Sequence, residues 1–160
     1  MTKHVIYGSD SGATRGIAKK IAAKLDAEVF DVKRVTVAEF ENCDLLVLGV
    51  PTYGDGTLQD DWDAALDTLR AANLEGKKVA LFGLGDQMGY PDTFVDAIGI
   101  LYDELIEKQA EIIGQTATDG YEFEDSLAVR DGVFVGLALD QDNQSSMSTN
   151  RIAAWTSQLP

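Results

Sequence analysis

Cysteine, histidine, proline and positive charge are all scarce in this chain, and each scarcity removes a class of function. Cys43 is the only cysteine, so no internal disulfide and no Cys-x-x-Cys redox or metal motif can form. It precedes the apolar run Leu45-Leu46-Val47-Leu48 and reads as a buried thiol, which fits a cytoplasmic setting. His4 is the only histidine and opens a strand, so Ser9 and Ser11 have no base for a catalytic triad and no metal cluster is visible. No apolar run reaches the length of about 18 residues that a membrane span needs. No apolar leader precedes the first strand, and no signal peptide is expected. Basic residues are few, 13 against 27 acids, for a net charge of -14. The imbalance is uneven: residues 1–34 carry +3 and residues 35–160 carry -17. Nucleic acid is a poor partner for such a chain, whereas basic proteins would be attracted to it.

What is present is organised around Lys3–Lys20. The short apolar run His4–Tyr7 leads into Gly8-Ser9-Asp10-Ser11-Gly12-Ala13-Thr14, and Ile17, Ala18, Ile21, Ala22 and Leu25 then recur at helical spacing. Buried strand, polar turn and amphipathic helix open an α/β nucleotide-type fold. The turn offers backbone N–H groups and hydroxyls at a helix start, where a phosphate binds. Further along, strands are expected at 28–32, 44–49 and 79–82. Helices are expected at about 14–25, 35–40, 60–70, 91–108 and from Ser148 or Thr149 to Gln158, with Pro91 in the first turn of the fourth and Ile106 on its inward face. The last strand starts at 111–114 and resumes at 133–139. The acidic, glycine-punctuated segment 118–132 between them reads as an excursion of roughly 20 residues, longer than ordinary connections. At 160 residues, the whole span 1–160 fits one domain.

Three loops follow core strands: 8–14, 50–59 and 83–90. In open parallel sheets, ligands bind beyond the carboxyl ends of the strands, so these loops define the candidate site. The first has no lysine and no three-glycine fingerprint, so it suits one phosphate monoester rather than a nucleoside triphosphate or a pyrophosphate. The second and third supply Tyr53 and Tyr90, two aromatics able to sandwich a flat ring. A ring and one phosphate a ribityl length apart describe FMN. Such a cofactor carries its own electron chemistry and needs no protein acid or base.

On these residues the chain resembles the flavodoxins, in particular the long-chain subgroup. The resemblance is carried by SDSGAT (9–14), PTYGDGTLQDDW (51–62), GLGDQMGYPDTFVDAIG (83–99), TDGYEFEDS (118–126), FVGLALDQDNQS (134–145) and RIAAW (151–155). It implies a three-layer α/β fold with a five-stranded parallel sheet of order 2-1-3-4-5, its last strand interrupted by the excursion. It implies non-covalent FMN, with Ser9, Asp10, Ser11, Gly12, Ala13 and Thr14 at the phosphate. Tyr90 would lie on the outer ring face and Tyr53 on the inner, where many relatives carry tryptophan. Pro51, Thr52, Gly54, Asp55, Gly56, Leu84, Gly85, Asp86 and Phe94 would complete the ring site, with Asp142 supporting it from the adjoining loop.

The implied function is a low-potential one-electron carrier that shuttles between semiquinone and hydroquinone. Its expected partners are basic redox proteins: an NADP-linked flavodoxin or ferredoxin reductase, and a nitrogenase reductase or other low-potential acceptor. A monomer is expected. The competing enzyme reading is an FMN-dependent NAD(P)H or quinone reductase, against which Tyr90 covering the ring would argue. A receiver-type signalling domain would need an aspartate after strand 3, where Gly49-Val50-Pro51 stands. A colourless interaction module is the remaining alternative.

Overall fold

The computed structural model describes residues 1–160. Strand β1 (Lys3–Tyr7) is followed by helix α1 (Ala13–Leu25), β2 (Glu28–Asp31), a 3-10 turn at Val32–Arg34, α2 (Val37–Glu41) and β3 (Leu45–Tyr53). A two-residue strand β4 (Thr57–Leu58), α3 (Asp60–Ala71), β5 (Lys78–Leu84), α4 (Asp96–Glu107) and β6 (Glu111–Ile113) come next. The chain ends with the hairpin β7 (Val129–Arg130) and β8 (Val133–Phe134), then β9 (Leu137–Leu139) and α5 (Ser145–Thr156).

The parallel sheet runs β2-β1-β3-β5-β6, the order expected from the sequence. β6 pairs with the first half of β5 (Lys78–Ala80) and β9 with the second (Phe82–Leu84), so one edge strand is split by the segment between them. The central runs of the interior strands, Val5–Tyr7, Leu45–Val50 and Val79–Leu84, carry no charged residue because both faces are covered. Ile6, Leu46, Leu48 and Leu81 face α2, α3 and α4, while Val5, Val47, Ala80 and Phe82 face α1 and α5. Alternate residues therefore serve two cores.

Several boundaries differ from expectation. β3 continues through Pro51 to Tyr53, because Pro51 still pairs with Leu84 and the chain then turns back antiparallel, Thr52 against Leu58. The fourth helix starts at Asp96 instead of 91: residues 91–95 form turns, and Val95 adopts a left-handed φ of 47° that breaks the helix. Pro91 therefore lies outside that helix, and Ile106 faces solvent. α5 begins three residues before Ser148, whose side chain is buried inside the helix and bonds to Gln141. Cys43 and His4 are both buried, and His4 Nδ1 lies 2.8 Å from the Glu39 carbonyl.

Candidate functional site

Three loops converge beyond the carboxyl ends of β1, β3 and β5 around an open cleft of about 440 Å³. From the first come Ser11, Ala13 and Thr14. Here Gly12 takes φ +95° at the start of α1, a conformation that favours glycine, and Ser9 Oγ accepts its N–H at 3.0 Å. No side chain caps α1 and no acid lies in its first turn, so its N-terminal N–H groups face the cleft without competition. α3 is the opposite case, capped by Gln59 and carrying Asp60, Asp61 and Asp63 in its first turn. Ser9, Asp10 and Gly12 line a second, smaller depression of about 220 Å³ that shares Ser11 with the cleft and includes Arg15. The guanidinium of Arg15 lies beside Gly12, and its charge forms no ion pair in the protein.

The second loop contributes Pro51, Thr52, Tyr53 and Gly54. The turn closes by the Gly56 N–H donating to the Tyr53 carbonyl at 3.0 Å, with Gly54 at φ +51° and Gly56 at φ +89°. Tyr53 is 40% exposed, and partial burial followed by the nearby Asp10 charge raises its hydroxyl above the usual tyrosine range. Asp55 stands at the outer rim, and Gly56 lies beneath the turn against Asp96.

The third loop contributes Leu84, Gly85, Asp86 and Tyr90, the last 50% exposed. Asp86 accepts N–H bonds from Met88 and Gly89, at 3.1 and 2.8 Å, and the Asn143 amide at 2.7 Å. The Gly89 N–H first, then Asn143, hold its carboxyl below the ordinary aspartate range. Asp142 and Gln141 close the cleft from the loop after β9.

Phe94 departs from expectation. It is 1% exposed and packs among Tyr121, Phe123 and Phe134 beneath the third loop, so its ring does not reach the cleft. It follows Tyr90 by four residues, but the turns at 91–95 direct it into the core.

Sequence reasoning passed over Gln59, Gln87, Met88 and Gln141. Gln59 is 2% exposed and donates to Asp10 at 2.8 Å and Asp61 at 2.9 Å, tying the first loop to α3. Gln87 is equally buried; its backbone and side-chain N–H groups donate to Asp140 at 3.1 and 2.8 Å. The only available signal was an aspartate next to each glutamine: Asp60, Asp86, and Asp140 with Asp142. Asp86, Asp140 and Asp142, spread along the sequence, bring carboxylate oxygens within 4.8 Å of one another. Amide donors of Gln87 and Asn143 already bond to two of the three, Asp86 and Asp140.

The fold and the cleft define a class: open-sheet α/β proteins that hold a flat, singly phosphorylated group at their strand ends. The flavodoxin family model matches residues 5–155. A flavodoxin of Nostoc sp. is 42% identical over 158 residues, covering 97% of this chain and 93% of that protein. A Helicobacter pylori flavodoxin is also 42% identical, covering 97% and 94%. Among solved structures, a Fusobacterium nucleatum flavodoxin bound to flavin mononucleotide superposes with a TM-score of 0.93, at 34% identity, covering 99% of this chain and 96% of that one. The chain belongs to the flavodoxin family. Flavodoxins are electron-transfer proteins, not enzymes.

Proposed function

We propose that residues 1–160 act as one FMN-binding domain of the long-chain type, a low-potential one-electron carrier between other redox proteins. The observation that carries this reading is the meeting of all three strand-end loops at one cleft. The residues suit the group chemically. The uncapped start of α1 and the hydroxyls of Ser9, Ser11 and Thr14 offer donors to a phosphate, and Tyr53 and Tyr90 offer aromatic faces to a ring. Backbone groups of 52–56 and 84–86 offer donors and acceptors to the ring's polar edge. Phe94 is left out of this set because its ring is in the core.

Bound FMN would supply the one-electron redox chemistry; no side chain of the cleft is required as nucleophile, acid or base. Tyr90 and Tyr53 would limit water at the ring faces. Asp55, Asp60, Asp61, Asp86 and Asp142 would surround the site with negative charge, which opposes adding a further electron and keeps the carrier strongly reducing.

The partners proposed are basic redox proteins: an NADP-linked flavodoxin or ferredoxin reductase as donor, and a nitrogenase reductase or similar low-potential protein as acceptor. The chain would meet them as a monomer in the cytoplasm, and no helix is long and apolar enough to cross a membrane. Met88, 61% exposed beside Tyr90, gives the rim an apolar contact point inside its acidic surround. Adding FMN to cofactor-free protein tests the reading: binding of one FMN per chain supports it, and a colourless protein that takes up none overturns it.

A further inference from the structure

The excursion is fastened to the third loop along most of its central length. Moving along residues 122–127, the Glu122 N–H donates to the buried Gln87 side chain. Glu124 and Asp125 N–H groups both donate to the Pro91 carbonyl, at 2.8 and 3.0 Å. The Ser126 hydroxyl donates to the Phe94 carbonyl, and the Leu127 N–H donates to Asp96 Oδ1 at 2.8 Å. Five of the six residues 122–127 thus bond to 87–96, and the sixth, Phe123, packs on the Phe94 ring, so the segment forms a strap across them. An edge cover would need only to shield the split edge strand β6/β9; these bonds go instead to residues 87–96, which include the turns that carry Tyr90.

The same turns grip the hairpin after β3 from beneath. Thr93 Oγ1 donates to the Gly54 carbonyl at 3.1 Å, and Thr52 Oγ1 accepts the Ala97 N–H at 3.0 Å. Gly56 packs on Asp96 so closely that a Cβ there would lie 2.8 Å from Oδ2. Asp96, 7% exposed, therefore touches the strap with one carboxylate oxygen and the hairpin with the other. The preceding residue, Val95, holds a left-handed φ of 47°, rare for a β-branched side chain and sustained only where surroundings over-determine it.

We propose that Asp96 is a positioning residue that couples the excursion to the hairpin carrying Tyr53 and Gly54, so that residues 122–127 stiffen the walls of the cleft. Burial raises the Asp96 carboxyl above the ordinary aspartate range. The Leu127 N–H opposes that shift and the Asp125 charge adds to it. Asp125 is the charged group facing it from the strap; the hairpin's own ionisable residues, Tyr53 and Asp55, lie in the cleft wall and at the outer rim. No cation offsets the carboxylate.

The inference rests on the proposed function only for its effect on FMN. Its first test needs no cofactor: amide hydrogen exchange of the apoprotein at pH 7, reading segments 52–58 and 122–129. Asp96→Ala removes both contacts and is expected to speed exchange in both segments together, by about tenfold for one lost buried bond. Asp96→Asn keeps the acceptor and is expected to leave exchange in both segments no faster than wild type. Ser126→Ala removes the hydroxyl that bonds the Phe94 carbonyl and the Ala128 N–H without touching the hairpin, and is expected to speed exchange at 52–58 as well as locally. FMN dissociation constants should rise in the same order as the exchange at 52–58. Loosening of 122–129 with 52–58 unchanged, in either alanine variant, overturns the coupling. Unchanged exchange in both segments would overturn the strap itself.

Discussion

Two tyrosines and two buried or tethered carboxylates set what single side chains contribute. Replacing Tyr90 by Ala is expected to raise the FMN dissociation constant about tenfold, the worth of one aromatic stack beyond simple burial. Tyr53→Trp is expected to tighten binding by enlarging the face; fluorescence quenching of added FMN measures both. The carboxylates respond oppositely to pH. Asp86 is held below its usual range by the Gly89 N–H and Asn143, so the stability it contributes is present above ordinary aspartate pH and lost as pH falls through the depressed value. Asp96 is raised by burial, so its contribution is full in acid and lost as pH rises through the raised value. Asp96→Asn, neutral throughout, is therefore expected to raise the melting temperature at pH 7 and to converge with wild type near about pH 4. A variant equally shifted at both pH values would mean that ionisation of Asp96 does not matter.

The hairpin at 53–57 shows what an element demands of its sequence. Gly54 at φ +51° has open space around it, so Gly54→Ala is expected to cost about 1 kcal/mol through its backbone alone. Gly56 at φ +89° also abuts Asp96 Oδ2, so Gly56→Ala is expected to cost more and to weaken FMN binding with it. Chemical denaturation of the two apoproteins ranks them, and equal losses would contradict the packing described. The tyrosine-bearing loops were legible in the sequence because each follows an apolar run and breaks into Gly, Ser, Thr and Tyr. The sheet order was legible only through family resemblance, since periodicity cannot choose neighbours. The start of α4 was not legible: Pro91 is favoured in a first helical turn, and nothing local announces Val95 in a left-handed conformation. Phe94 was misplaced for the same reason, because five residues of turn aim it inward. The strap was also hidden. Its bonds run to Gln87, Pro91, Phe94 and Asp96 across about 30 residues of sequence, and a hydrogen-bonded loop has no period to read.

Across the whole molecule, charge is divided by the sheet. α1 carries Arg15, Lys19, Lys20 and Lys24 and no acid, and α5 carries Arg151 and no acid. On the other face α2, α3 and α4 hold two, four and four acids, with Arg70 as their one base. The uneven charge along the sequence thus becomes a transverse polarity. A basic reductase would be drawn to the acidic side, with exposed attraction fading over a screening length of about 10 Å at 0.1 M salt. Stopped-flow reduction by such a reductase should slow as salt is added; a flat response would contradict steering.

The account stands or falls on one cleft holding one flavin, and a photoreductive titration followed in the visible tests it most directly. Cofactor-free protein mixed with FMN should bind one equivalent and turn yellow. Stepwise illumination should then raise a broad long-wavelength absorbance and afterwards remove it, as two separate electrons enter. Failure to take up FMN, or bleaching in one step with no long-wavelength stage, would contradict a one-electron carrier.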